Sequence, residues 1–216
     1  MPKLSKLLFL ITFVFQVQAK TLIITDSHGE GAFGGELVSL IENQGDNVSA
    51  YAVGGSTAHD WSDGLNQIWG YWEYHTGTRS IRSQKPTTPK LAALLAKHSP
   101  SRVIIELGTN LIWRDLSALD TDKIEELLSL VNNTGAECIW VGPPDLRPKS
   151  EAQKRREIEI QHLLETLVTA EKCELIKSWE VILYPEVGGD GIHYDQIPSI
   201  GTTLAKSWAR AVFERL

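Results

Sequence analysis

Hydrophobic positions along the chain fall into short unbroken runs, separated by stretches with helical spacing. Thr21-Leu-Ile-Ile-Thr25 is a continuous apolar run of the kind that forms a strand buried on both faces. Leu37, Leu40 and Ile41 follow at helical spacing, and Asn47 to Val53 reads as a second strand. Pro89 to His98 predicts a helix, with Pro89 at its first position and Leu91, Leu94 and Leu95 on one face. Arg102 to Leu107 is the clearest strand. A helix from about Asp120 to Asn133 stops before Gly135, a C-terminal cap signal. Glu137 to Val141 is a fourth strand, ended by Gly142-Pro143-Pro144. Ser150 to Glu171 reads as a long helix, Cys173 to Ile176 as a fifth strand, and Pro198 to Arg215 as a last helix.

Strands that alternate with helices predict right-handed βαβ units. The expected fold class is therefore α/β, a single domain with a five-stranded parallel sheet covered by helices on both faces. The segment 61–88 breaks the alternation. It is rich in aromatic and turn residues, has no clear period, and reads as an insertion. Loops of that length in compact domains are usually functional or disordered.

The first apolar run has a different character. Lys3 and Lys6 precede an uncharged stretch from Leu7 to Phe15, and Val17-Gln18-Ala19 places small residues as in a cleavage site. This is the pattern of a secretory signal peptide, residues 1–19, with cleavage after Ala19. The run is about half the roughly 20 residues that a spanning helix needs, so no stable membrane insertion is expected after cleavage. No Cys follows the cleavage point, which argues against a lipid anchor. Removing two Lys with the leader lowers the formal charge from −6 to −8 and leaves Lys20–Leu216 as the expected mature domain, secreted or periplasmic.

Composition then narrows the function. With 42% hydrophobic and 22% charged residues, disorder and coiled coil are excluded. An acidic chain is a poor nucleic-acid binder, because such affinity rests on Lys and Arg at phosphates. A monomer is expected. Cys138 and Cys173 are the two cysteines, and both open apolar runs read as neighbouring strands. In an oxidising compartment they can pair; as buried free thiols they would equally serve as small hydrophobes. Neither has metal-site spacing, and His28, His59 and His75 show none either, so no metal or organic cofactor is expected.

In open α/β sheets, ligands bind beyond the carboxyl ends of the strands. Asp26-Ser27-His28-Gly29 follows the first strand, Gly54-Gly55-Ser56-Thr57 the second, and Gly108-Thr109-Asn110 the third. Asp190-Gly191-Ile192-His193 lies beyond the fifth. Singly, each is an ordinary cap or turn. Together they bring a Ser, an Asn, an Asp and a His to one edge.

This set resembles the SGNH hydrolases, the superfamily that includes GDSL lipases. Thr25-Asp26-Ser27 stands for the family's Gly-Asp-Ser, Gly55 for its second-block glycine, Gly108-Thr109-Asn110 for Gly-x-Asn, and Asp190-Gly191-Ile192-His193 for Asp-x-x-His. Three positions depart: Thr25 replaces Gly, His28 replaces the Leu of GDSL, and Leu111 replaces the Asp that usually follows the Asn. The resemblance implies a three-layer flavodoxin-like fold with sheet order 2-1-3-4-5. It implies Ser27 as nucleophile, His193 as base and Asp190 as its orienter. An oxyanion hole would come from the Ser27 and Gly55 N–H groups and the Asn110 amide. Such chemistry activates a weak hydroxyl nucleophile with an imidazole and needs no cofactor.

The family cleaves varied esters, so the substrate must be sought in the insertion. Trp61, Trp69, Trp72 and Tyr74, with Arg79, offer aromatic area for sugar stacking and a cation for a carboxylate, and His28 is expected to line the pocket beside Ser27. The expectation is an acylated polysaccharide or peptidoglycan partner and carbohydrate O-deacetylation. An amidase or peptidase with the same triad and a silent glycan-binding module are the alternatives. The competing reading of the aromatics is that they fill the core.

Overall fold

The structure is a computed structural model that describes residues 18–65, 69–84, 87–147 and 150–216. Most of the expected leader lies outside the described residues. The strands are β1 (Lys20–Thr25), β2 (Asn47–Val53), β3 (Tyr71–His75), β4 (Ile81–Ser83), β5 (Arg102–Glu106), β6 (Glu137–Val141) and β7 (Glu174–Ile176). The helices are α1 (Ala32–Asn43), α2 (Ala58–Asp63), α3 (Leu91–His98), α4 (Ala118–Asn132), α5 (Glu151–Ala170) and α6 (Gly201–Phe213).

One seven-stranded sheet runs β4-β3-β2-β1-β5-β6-β7. The five strands β2-β1-β5-β6-β7 pair in parallel, in the expected 2-1-3-4-5 order. The sheet has seven strands rather than five because β3 and β4 add an antiparallel edge beside β2. Both come from the segment read as an aperiodic insertion.

The pleat divides each apolar run between two layers. Leu22, Ile24, Val103, Ile105 and Trp140 join a core with α2, α3, α4 and α5. Ile23, Ala50, Ile104, Ile139 and Val141 face α1 and α6. Coverage on both sides explains why these runs show no polar alternation. Cys138 and Cys173 are bonded, with Cα atoms 4.8 Å apart. The bridge closes a span of 35 residues, which in the chain-entropy account contributes about 4 kcal/mol. Among the described residues, no helix is long and apolar enough to cross a membrane.

Candidate active site

β1 ends at Thr25, and the chain turns at once into one 3-10 turn, Ser27–Glu30. Asp26 caps that turn by accepting the His28 N–H at 3.0 Å. The cap leaves Ser27 at the carboxyl edge of the central strand, facing out. On the far side, the loop after β7 delivers His193. Ser27 Oγ and His193 Nε2 are 2.9 Å apart. His193 Nδ1 meets Asp190 Oδ2 at 2.6 Å. The other Asp190 oxygen accepts the Ile192 and His193 N–H groups, both at 2.8 Å. Burial pushes the Asp190 carboxyl up, but these bonds outweigh it and hold the group below the usual range. Asp190 therefore stays a carboxylate. A hydroxyl bonded to an imidazole that is itself held by a carboxylate is an arrangement able to move the serine proton.

Two further turns complete the edge. Gly55 follows β2 with φ of 77°, a left-handed conformation that favours glycine. Among the described residues, the N–H groups of Ser27 and Gly55 have no protein acceptor. Asn110 sits in the 3-10 turn after β5 (Thr109–Trp113). Its amide nitrogen donates to Ser56 O at 3.0 Å and Asp26 Oδ2 at 3.2 Å. For that amide to meet an oxyanion one of these bonds must give way; the two backbone groups need no such exchange.

These groups open into a cleft of about 520 Å³ lined by Ser27, Gly54, Gly55, Asn110 and His193, with Glu30, Thr57, Trp69, Trp113, Arg114 and Ile192. Trp69 and Trp113 are 62% and 49% exposed. Burial pushes the Glu30 carboxyl up against the pull of Arg82. Arg114 is paired to Asp120.

Several expected contact residues are elsewhere. His28 is buried and does not line the cleft: in a 3-10 turn successive side chains diverge by about 120°, so the neighbour of Ser27 points inward. Trp61 is fully buried and donates Nε1–H to Ser56 Oγ at 3.0 Å, so it supports the Gly55 turn from below. Trp72 is buried in the layer with α1 and α6. Tyr74 packs against that layer and donates to the Glu42 carboxylate. Arg79 is exposed in the β3–β4 turn, which the antiparallel pairing with β2 places at the opposite end of the sheet. Of the aromatic set only Trp69 reaches the cleft. Glu30 and Trp113 were missed; each lies three residues beyond a predicted site residue, Ser27 and Asn110, in the same short turn.

Asp26, His28 and Glu106 form a buried cluster beneath Ser27, with ligand-type atoms within 4.8 Å of one another. All three side chains are closed off from solvent.

No family model matches the chain, and no curated protein matches it. Solved structures do match. A carbohydrate acetylesterase family member from Sinorhizobium meliloti superposes with a TM-score of 0.61 at 18% identity, covering 92% of this chain and 98% of that one. The native aryl esterase of M. smegmatis gives 0.61 at 17% identity, covering 92% and 100%. A catalytic mutant of an acetylxylan esterase from Geobacillus stearothermophilus gives 0.59 at 16% identity, covering 92% and 94%. The chain has the SGNH hydrolase fold.

Proposed function

We propose that the protein is an exported serine hydrolase that cleaves esters, and that its substrate is an O-acetylated carbohydrate. The observation that carries the reading is the unbroken chain Ser27 Oγ, His193, Asp190 at 2.9 and 2.6 Å, with Ser27 and His193 lining the cleft. Ser27 Oγ attacks the acyl carbonyl as His193 Nε2 takes its proton. His193 returns that proton to the departing alcohol, and water repeats the cycle to free acetate and Ser27. The Ser27 and Gly55 N–H groups, joined by the Asn110 amide, face the developing oxyanion. Losing one such donor typically costs about 10²–10³ in kcat.

Three observations support the finer parts. Esters are favoured over amides by the kinds of enzyme that share the fold. A carbohydrate is favoured by two half-exposed indoles, Trp69 and Trp113, at the cleft with the Glu30 carboxyl, since aromatic faces stack on sugar rings and a carboxyl accepts hydroxyls. Export is favoured by the leader pattern and the bonded cysteines. The test is p-nitrophenyl acetate hydrolysis by Lys20–Leu216 and its Ser27→Ala form. We expect at least about 10³-fold loss on substitution. Equal rates would remove Ser27 from the reaction, and release of new amine ends rather than acetate from cell wall would favour the amidase.

A further inference from the structure

His28 meets acceptors at both ring nitrogens. Nε2 lies 3.2 Å from the Ile192 carbonyl oxygen, which can only accept, so Nε2 carries a hydrogen. Nδ1 lies 3.0 Å from Asp26 Oδ1 and 3.7 Å from Glu106 Oε1. Asp26 Oδ1 already accepts the His28 N–H, and Oδ2 accepts from Asn110. Both Asp26 oxygens thus act as acceptors, and Nδ1 needs a hydrogen as well. The remaining faces are occupied by the Trp208 indole of α6, perpendicular at 5.2 Å, and the His193 ring, with centroids 5.6 Å apart. Glu30, on the same turn, lines the cleft. Among the described residues, neither Glu106 side-chain oxygen has a hydrogen-bond partner.

We propose that His28 is a positioning residue: a buried, doubly protonated imidazole whose Nε2–H holds the Ile192 carbonyl, and with it the His193 loop, against the Ser27 turn. The functional part of this rests on the serine-hydrolase reading above. Asp190 fixes the same loop from inside through the Ile192 and His193 N–H groups. His28 fixes the carbonyl face, one peptide from the base. Ser27 and His28 are adjacent, so the tie links nucleophile and base through a short rigid path. Burial, with the Asp26 carboxylate beside it, pushes Glu106 well above the usual carboxylate range. Burial alone would drive the His28 ring down; the charge and hydrogen bond of Asp26, aided by Glu106 and Ile192, overcome it and raise the ring to about 9.

The direct test is ¹⁵N-resolved NMR of the imidazoles in the unmodified mature protein. At pH 7 both His28 nitrogens should show protonated shifts, and the ring should lose its proton only above about pH 8. A neutral single tautomer at pH 7 overturns the proposal, as does a His28 signal moved by equimolar Zn²⁺, which would make the cluster a metal site. Kinetics then tests positioning. His28→Leu should lower kcat on p-nitrophenyl acetate about 10–100-fold with KM nearly unchanged. His28→Gln places an amide nitrogen where Nε2 stood and should recover most of that loss. Full kcat in His28→Leu overturns the positioning role. If either variant fails to fold, the NMR result on the unmodified protein decides. An active Ser27→Ala form would end the hydrolase reading while leaving the protonation result intact.

Discussion

Two histidine clusters at opposite ends of the sheet treat the same side chain in opposite ways. At the carboxyl edge, His28 sits between Asp26 and the Ile192 carbonyl and is raised to about 9. At the other end, His98 Nε2 meets the Tyr51 hydroxyl at 2.8 Å and Nδ1 meets Ser49 Oγ at 3.2 Å. Lys97 also reaches Tyr51 OH, at 3.0 Å, and the His75 ring lies 5.3 Å away. Burial, Lys97 and His75 push His98 down to about 4. Burial drives both rings toward neutrality, so it does not decide between them. The partner does: a carboxylate captures a proton, whereas hydroxyls beside an ammonium do not. Charge follows, and so does use. The charged ring ties the loop that carries His193, while the neutral one completes a hydroxyl network at the β2–β3 edge.

The largest effect should separate the catalytic ring from the remote one. His193→Gln should reduce kcat/KM on p-nitrophenyl acetate by about 10³-fold or more, while His98→Gln should stay within about twofold. Equal losses would mean that the fold, not the site, is failing.

The next effect concerns stability against pH. His28 has a folded value raised above the unfolded one, from 6.5 to about 9. Its contribution is full below pH 6.5 and is lost as pH climbs through about 9. At about 1.4 kcal/mol per unit this amounts to about 3 kcal/mol, or roughly 6–12 °C in Tm for a domain of this size. The raised Glu106 carboxyl works in the same direction. His28→Gln should flatten the alkaline decline measured by calorimetry, and an unchanged slope would place the loss elsewhere.

What was legible in the sequence follows from the same contrast. Ser27, Gly55 and Asn110 could be picked out as candidates because each follows closely on a strand with a continuous apolar run, and strand ends converge in this architecture; Asp190 and His193 lie well beyond the short β7 and were picked out by their Asp-x-x-His spacing. The parallel order was legible for the same reason. β3 and β4 were not: they are five and three residues long, and Tyr71 and Trp72 are buried while Ile81 is exposed, so no period emerges. Nor was the split among the tryptophans. Trp61 and Trp72, on α2 and β3, are core, while Trp69 and Trp113, in the bend before β3 and the 3-10 turn after β5, are rim. His28 was misplaced because adjacency to Ser27 in sequence implied adjacency in the cleft, and a 3-10 turn separates the two directions.

A smaller effect should appear at the rim. Trp69→Ala and Trp113→Ala should each raise KM for acetylated oligosaccharides about three- to tenfold, leaving p-nitrophenyl acetate turnover unchanged, since a ring contact is worth about 1 kcal/mol. His75→Gln, at the far end, should change neither constant. A rise in KM with His75→Gln and none at the rim would move the substrate to the other end of the sheet.

The smallest effect is the acid counterpart of the alkaline slope. His98 has a folded value depressed from 6.5 to about 4, so its neutral form is favoured in the folded protein. Its contribution is full above pH 6.5 and is lost as pH falls toward 4. The ring is only partly buried, so solvent screening shrinks the loss to about 2–4 °C in Tm. In His98→Gln, which keeps a donor and an acceptor but no titration, Tm should hold steadier between pH 6.5 and 4 than in the unmodified protein. With His28→Gln as the partner experiment, each substitution should flatten one limb of the stability profile and leave the other. A profile in which either substitution flattens both limbs would mean that the two clusters titrate as one system through β1 and β2, and that their opposite charges are not set locally.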